Sequence, residues 1–150
     1  MQQVEINIPS DHKFERIARD SAAIIARYLG LPDERLADLQ LAVSEAVTNA
    51  IEHGNRCRAD LPVGVRFLLR SERLYVCIVD HGGCMPEVVS VEAPLLEEKL
   101  QQETPRGLGM FLIQQLSDGM TMRSRNGRTE FTMWFNLEAP LTRGAGSEER

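Results

Sequence analysis

The chain has 150 residues, enough for one domain with a sizeable hydrophobic core. Hydrophobic residues make up 43% and charged residues 26%, and a net charge of −5 without any Lys/Arg-rich run argues against general nucleic-acid binding. No apolar run approaches the ~20 residues that a membrane span needs, and the N-terminal residues lack the features of a signal peptide. Because Cys57, Cys77 and Cys84 form no C-x-x-C pair, we expect reduced thiols in a cytoplasmic protein.

The N-terminal part of the chain predicts a strand followed by a helix. Residues 3–9 alternate apolar and polar side chains up to a proline, which is typical of a half-buried strand. Ser10 or Asp11 can cap the following helix, and Gly30 is expected to end it. The apolar face predicted for this helix is formed by Phe14, Ile17, Ala18, Ile24, Ile25, Tyr28 and Leu29.

A second helix is predicted from near Asp33 to about His53, where Gly54 stops it. Helical spacing groups its apolar side chains in one stripe, which consists of Leu39, Val43, Val47, Ala50 and Ile51. Glu45, Asn49 and His53 recur at every fourth position and therefore stack on another face. A carboxylate can accept a proton there and an amide oxygen can ligate a hard cation, although a solvated helix face would have the same spacing.

Two β-hairpins are predicted in the second half of the chain. Residues 63–70 and 74–80 are rich in β-branched and aliphatic side chains, and the short connection between them indicates an antiparallel pair. Residues 120–125 and 129–137 predict another pair, because Asn126-Gly127 between them is a strong turn signal.

Between the hairpins, residues 81–106 show no periodic pattern and are punctuated by glycines and prolines. Residues 96–101 can form a short helical turn. Because a long loop in a compact domain is often a lid or a binding segment, we expect a lid at about residues 83–106. A third helix is predicted to open at Gly107 and to end near Gly119.

This order of elements indicates an α+β fold. The predicted architecture is a two-layer sandwich, in which helices cover one face of a mostly antiparallel sheet. We expect one domain over residues 1–138, followed by a flexible polar tail over residues 139–150.

A second polar cluster, Asp80-His81-Gly82-Gly83, follows the end of an apolar strand. A carboxylate at this position can accept a hydrogen bond from an exocyclic amine such as that of adenine. Glycine at position 82 lets the backbone approach a flat ring closely. An ordinary Asp-x-Gly turn after a strand is the alternative interpretation.

A third cluster, Thr104-Pro105-Arg106-Gly107-Leu108-Gly109, lies where a loop enters a helix. Free backbone N–H groups and the positive end of the helix dipole favour anion binding at such a start. The glycines allow the chain to wrap a phosphate, and Arg106 can offer a charged fork. A simple glycine hinge is the alternative, while neither a P-loop nor a Rossmann glycine motif is present. Together, the three clusters supply a metal ligand, an adenine acceptor and a phosphate-binding segment with a lid, and the residues expected at the phosphates are Thr104, Arg106, Gly107, Leu108 and Gly109.

In their order and spacing, the three clusters resemble the GHKL ATPase superfamily, which includes histidine kinases, Hsp90-type chaperones, gyrase and MutL. Within that superfamily, S-E-A-V-T-N-A-x-x-H-G at residues 44–54 and R-G-L-G-M-F-L-I at residues 106–113 resemble the bacterial anti-sigma factor serine kinases. The resemblance covers about residues 3–138. It implies a histidine-kinase/Hsp90-like ATPase fold that uses ATP and Mg²⁺.

The resemblance also implies roles for individual residues. Asn49 matches the position that ligates the Mg²⁺ bridging the ATP phosphates. Glu45 matches the general base, which takes the proton from a substrate serine or threonine hydroxyl. Asp80 matches the aspartate that reads the adenine amino group, and Gly82 matches the first glycine of that motif. His53 recurs in the subfamily's helix motif, where a structural role is the expectation.

Two further matches concern the lid and its hinge. Gly107 and Gly109 match the hinge glycines at the phosphates, and Arg106 is similar in place to a basic residue at the terminal phosphate. The adenine motif departs from the usual D-x-G-x-G, because Cys84 stands where a second glycine is expected. Either Gly83 serves instead, one position early, or the loop has another shape.

The implied function is that of an ATP-dependent serine/threonine protein kinase and anti-sigma factor. Such a protein phosphorylates a STAS-type anti-anti-sigma antagonist and sequesters a sigma factor, and a homodimer is the expected assembly, without direct nucleic-acid or membrane partners. An ATP-binding regulatory switch of the same fold that transfers no phosphate is the alternative. The Cys84 substitution favours that switch, whereas the four matching site residues argue against loss of ATP: Glu45, Asn49, Asp80 and Gly107.

A histidine-kinase catalytic domain is a third interpretation. It requires a dimerisation helix that carries a phosphoacceptor histidine. None of the chain's three histidines, His12, His53 and His81, lies on an N-terminal helical hairpin of that kind.

Overall fold

The computed structural model describes residues 2–83, 88–92 and 107–137. They contain one six-stranded sheet in the order β1-β2-β3-β6-β5-β4, and every neighbouring pair of strands is antiparallel. The strands are β1 (Gln2–Pro9), β2 (Pro62–Arg70), β3 (Arg73–Asp80), β4 (Val88–Glu92), β5 (Gly119–Arg125) and β6 (Arg128–Asn136). This sheet, with helices packed against it, confirms the predicted α+β class.

The helical elements follow the predicted order. They are a 3₁₀ turn (His12–Phe14), α1 (Glu15–Tyr28), α2 (Asp33–Asn49), a π-turn (Ala50–Gly54) and α3 (Gly107–Leu116). Of the two predicted caps, Asp11 is the one used, because its Oδ1 accepts a hydrogen bond from the Lys13 N–H at 3.0 Å. Among the described residues, no helix is long and apolar enough to cross a membrane.

Both predicted hairpins are present. Ser71 and Glu72 join β2 to β3 with φ values of 51° and 59°, and Asn126 and Gly127 join β5 to β6 with φ values of 53° and 75°. Positive φ at both central residues is typical of a type I′ turn, whose twist matches that of the flanking strands.

Strand β4 lies inside the segment for which the sequence predicted a lid without a strand. It pairs with β5, with a register shift between Val88 and Val91. Three valines in five residues favour a strand, but prolines at positions 86 and 94 flank so short a run that no alternating pattern emerges. Apart from Gly83, the rest of the predicted lid, including the helical turn at 96–101, lies outside the described residues, as does the predicted tail.

The stripe of α2 is buried as predicted and packs on the inner face of the sheet. Its residues are Leu39, Val43, Val47, Ala50 and Ile51, each at most 4% exposed. Alternating residues of the central strands complete this core, among them Phe67, Val76, Ile78, Met133 and Phe135. The core therefore forms between α2 and the sheet and holds the end of α2 against β3.

The predicted apolar face of α1 is wrong for its three most exposed members. Ile17, Ile24 and Tyr28 are 49%, 55% and 89% exposed. The buried face instead consists of alanines, namely Ala18, Ala22, Ala23 and Ala26. Because small side chains let two helices approach closely, these alanines allow α1 to pack against α2, while Ile25 and Leu29 are partly buried against the core.

Candidate functional site

The end of α2 carries the first predicted cluster. Glu45 is half-buried, and Asn49, one helical turn later, is buried at 7% exposure. The chain then enters the π-turn, in which the Asn55 N–H donates to the Ala50 carbonyl oxygen at 2.7 Å. A π-turn has a longer repeat than an α-helix, so the predicted stacking of His53 above Asn49 is interrupted. The His53 Nε2 instead lies 3.8 Å from Glu52 Oε2.

The start of α3 lies directly against this cluster. A methyl carbon at Gly109 would lie 3.0 Å from Asn49 Nδ2 and 3.1 Å from Glu45 Oε2. Only a residue without a side chain fits there without displacing its neighbours. The fold therefore brings the first and third predicted clusters together, with Gly107 and Leu108 in the first turn of the same helix. Thr104 and Arg106 lie outside the described residues.

The second predicted cluster lies at the other end of the π-turn. Asp80 ends β3 and is 3% exposed. A methyl group at Gly54 would overlap the Asp80 carboxylate, and a methyl group at Gly82 would overlap the Gly54 carbonyl. These three residues interlock, so the π-turn connects the Asn49 side of the site to the Asp80 side. The sequence predicted Gly54 only as a helix stop, because a glycine after a helix indicates a stop whatever it contacts.

The loop after Asp80 is joined to the β5–β6 turn. The Gly83 N–H donates to the Gly127 carbonyl oxygen at 3.1 Å, and Gly83 has a φ of 69°. This left-handed conformation favours glycine, so Gly83 makes a turn that other residues would adopt only with strain. Cys84, at the position of the expected second glycine, lies outside the described residues.

Two buried hydroxyl groups beside Asp80 were missed in the sequence. Thr129 is the cross-strand partner of both Asp80 and Ser124, and the two hydroxyl oxygens are 3.2 Å apart. Thr129 and Ser124 are each 2% exposed. The alternation of β6 could have identified Thr129 as inward-facing, but its neighbour on β3 depends on a strand register that the local sequence does not give.

The donor groups at Asn49 fit a phosphate and a hard cation. Its Nδ2 is buried and has no hydrogen-bond partner among the described residues, so it can donate to an anion. Its Oδ1 is the kind of neutral oxygen that Mg²⁺ accepts. Within the described ranges, no group of three or more His, Cys, Asp or Glu side chains could hold a metal ion. A cation here would therefore depend on Asn49 and on oxygens that a ligand brings.

Comparison with known proteins defines the class. Residues 8–135 match the family model of the histidine kinase-like ATPase domain. This chain belongs to that family. Part of a solved chain that contains the RsbU and RsbW domains of a Mycobacterium tuberculosis protein shares the fold, with a TM-score of 0.66, 18% identity, and coverage of 93% of this chain and 34% of that one.

Two relatives narrow the class further. The serine-protein kinase RsbW of Bacillus pumilus is 32% identical over 141 residues, covering 90% of this chain and 87% of the relative. An anti-sigma F factor of Thermoanaerobacter pseudethanolicus is 28% identical over 125 residues, covering 83% and 86%. Within the histidine kinase-like ATPases, the chain is a member of the anti-sigma factor serine/threonine-protein kinases.

Proposed function

We propose that this protein is an ATP-dependent serine/threonine kinase and anti-sigma factor, which phosphorylates a STAS-type anti-anti-sigma antagonist and sequesters a sigma factor. The observation that carries the proposal is the packing of Gly109 against both Glu45 and Asn49. This packing brings a carboxylate, a carboxamide and a helix N-terminus together. Such a combination suits phosphoryl transfer, which asks a protein mainly for positioning and charge stabilisation.

ATP binds, in this proposal, along the π-turn between the two ends of the site. The Asp80 carboxylate accepts a hydrogen bond from the adenine amino group, and Gly82 gives the ring room. The start of α3 at Gly107, Leu108 and Gly109 faces the phosphates, which the positive end of a helix dipole favours. Thr104 and Arg106, just before α3 in the sequence, complete the phosphate contacts.

Asn49 is the proposed ligand of Mg²⁺. A single neutral oxygen suffices because Mg²⁺ keeps several waters and takes further oxygens from the nucleotide phosphates. When bound, the ion neutralises charge on those phosphates. The free Nδ2 of Asn49 is left to donate to a phosphate oxygen, which would satisfy its buried N–H groups.

Glu45 is the proposed general base. Its half-buried side chain can reach both the site and an incoming protein. The substrate hydroxyl oxygen bonds to the γ-phosphorus while the bond from that phosphorus to the bridging oxygen of ADP breaks, and the hydroxyl proton passes to the Glu45 carboxylate. General-base help of this kind is worth ~10²–10⁴-fold in rate.

A homodimer in the cytoplasm completes the proposal. Val4 and Tyr28 line an apolar surface cavity of about 340 Å³, and Ile17 and Ile24 are exposed on the same helix as Tyr28. A second copy of the chain could cover this surface. Free thiols at Cys57 and Cys77 agree with a reducing compartment.

The direct test measures transfer of labelled phosphate from γ-labelled ATP to a STAS protein whose gene neighbours the gene of this protein, with and without Mg²⁺. Mass spectrometry then identifies the phosphorylated residue. The proposal predicts a Mg²⁺-dependent phosphoserine or phosphothreonine on the STAS protein. It also predicts that the unphosphorylated STAS protein releases a bound sigma factor from this protein, whereas the phosphorylated one does not. ATP binding without transfer would instead support the regulatory switch, and phosphohistidine would support a histidine kinase.

A further inference from the structure

Asn55 follows the π-turn and is 1% exposed. Its Oδ1 accepts a hydrogen bond from the His81 N–H at 2.9 Å. Its Nδ2 donates to three oxygens: Ser10 Oγ at 2.9 Å, the Pro62 carbonyl at 3.1 Å and the Leu61 carbonyl at 3.2 Å. The amide therefore uses both its acceptor and its donors, and it does so on opposite sides.

These bonds connect three separate segments of the chain. Ser10 follows β1, residues 61–62 lead into β2, and His81 is the residue directly after Asp80. On the donor side, Asn55 is fixed to the body of the sheet. On the acceptor side, it holds the backbone at the point where the Asp80 loop leaves β3.

The loop beyond His81 closes back on the same place. Gly82 lies so close to the Gly54 carbonyl and the Asn55 N–H that a methyl group there would overlap them. Gly54 in turn lies against the Asp80 carboxylate. Asn55 thus anchors, through its side-chain amide, an interlocked set of backbone segments that surrounds Asp80. Asn55 itself takes no part in the proposed reaction.

We infer that Asn55 is a positioning residue that sets the base specificity of the nucleotide site, an inference that rests on the proposed function. A carboxylate accepts a hydrogen bond from the 6-amino group of adenine but repels the 6-oxygen of guanine. This discrimination requires that the carboxylate cannot turn away. The Asn55–His81 hydrogen bond keeps the end of β3 in one conformation, so Asp80 is held toward the base and Gly82 against Gly54.

The test measures a ratio and not only an affinity. Dissociation constants for ATP and GTP are determined with Mg²⁺ for the wild type and for Asn55→Ala, at a temperature well below the unfolding midpoint of each. Loss of a hydrogen bond that orients a charged group should lower the preference for ATP by about tenfold, which corresponds to roughly 1.4 kcal/mol. Leu74→Ala is the control for destabilisation alone, because Leu74 is fully buried at the other end of β3, roughly 20 Å away.

A second pair of variants tests the same Asn55–His81 hydrogen bond by changing His81. His81→Pro removes the backbone N–H that donates to Asn55 Oδ1, whereas His81→Ala keeps this N–H and changes only an exposed side chain. The preference for ATP should fall in His81→Pro and stay at the wild-type value in His81→Ala. If Asn55→Ala does not fold, this pair decides the question alone.

The outcomes separate the inference from the function on which it rests. A wild-type protein that binds ATP and GTP equally would contradict base reading by Asp80, and the role of Asn55 would fall with it. A wild type that prefers ATP, together with Asn55→Ala and His81→Pro variants that keep this preference, would overturn the inference and leave the kinase proposal intact. An equal loss of preference in Leu74→Ala would also overturn it, since general destabilisation would then explain the effect.

Discussion

Replacing Gly109 with alanine should affect stability and function in different ways. Gly109 lies in the first turn of α3, and alanine is favoured over glycine within a helix by up to ~1 kcal/mol. The added methyl carbon would, however, lie 3.0 Å from Asn49 Nδ2 and 3.3 Å from Asn49 Oδ1, with Glu45 Oε2 at 3.1 Å. These distances are shorter than the 3.4–4 Å of ordinary van der Waals contact, so both side chains must shift.

The magnitude follows from those shifts. Moving one side chain off its preferred rotamer costs ~0.5–1.5 kcal/mol, so two side chains together cost about 1–3 kcal/mol. The gain in helix propensity offsets part of this in the free protein, and the free energy of unfolding should change by less than about 2 kcal/mol. If the nucleotide needs Asn49 and Glu45 in their original places, binding must restore them, and the affinity for Mg-ATP should fall between about 5-fold and 150-fold.

Two measurements on the same samples test this reasoning. Urea unfolding gives the change in stability, and titration with a fluorescent ATP analogue and Mg²⁺ gives the change in affinity. Gly64→Ala is the matched control, because a methyl carbon there would lie at ordinary contact distances of 3.4 Å from Asn7 Oδ1 and 3.5 Å from Val79 Cβ. A Gly109→Ala protein with wild-type affinity would show that the contact between α3 and the end of α2 is not part of the nucleotide site.

Three further changes test other parts of the account. Asn49→Ala should remove most of the Mg²⁺-dependent gain in ATP affinity, measured by titrations with Mg²⁺ and with EDTA; an unchanged gain would exclude Asn49 as the ligand. Phe135→Ala should lower the free energy of unfolding by ~3–5 kcal/mol in urea, because Phe135 is fully buried in the core. The hydrogen bond from the Lys13 backbone N–H lowers the pKa of Asp11 in the folded protein. The ionised Asp11 therefore stabilises the fold fully above the ordinary carboxyl pKa, and this stabilisation is lost as pH falls through the lowered pKa. The stability difference between wild type and Asp11→Asn should accordingly shrink below about pH 4, and a difference that grows there would contradict this assignment.

Most of the helices and strands could be predicted, because short stretches of sequence determine them. The stripe on α2 predicts its buried face, and Asn126-Gly127 specifies a type I′ turn without help from the rest of the chain. The predicted end of α2 at about His53 is wrong, because the α-helix ends at Asn49 and a π-turn follows. The predicted face of α1 failed for a physical reason. Residue hydrophobicity suggested Ile17, Ile24 and Tyr28, whereas close helix packing selects small residues, and that requirement comes from α2.

The sequence identified candidate site residues, whose roles stay predictions, but it did not identify the contacts between them. Glu45, Asn49, Asp80 and Gly109 all follow from motif spacing. What holds them depends on pairings across long stretches of sequence, such as Asn55 with His81 and Gly54 with Asp80. The π-turn that brings Gly54 to Asp80 has no sequence signal distinct from that of an α-helix, so only the folded chain reveals it.

The division of roles between Asn49 and Glu45 is the centre of the account, and the Glu45→Gln variant tests it most directly. The measurement compares ATP affinity and the rate of phosphoryl transfer to the STAS antagonist in Glu45→Gln, with Glu34→Gln as control because Glu34 is an exposed carboxylate on the same helix. We predict that Glu45→Gln binds Mg-ATP like the wild type and transfers phosphate ~10²–10⁴-fold more slowly, while Glu34→Gln changes neither. Transfer by Glu45→Gln at the wild-type rate would contradict the assignment of Glu45 as the base.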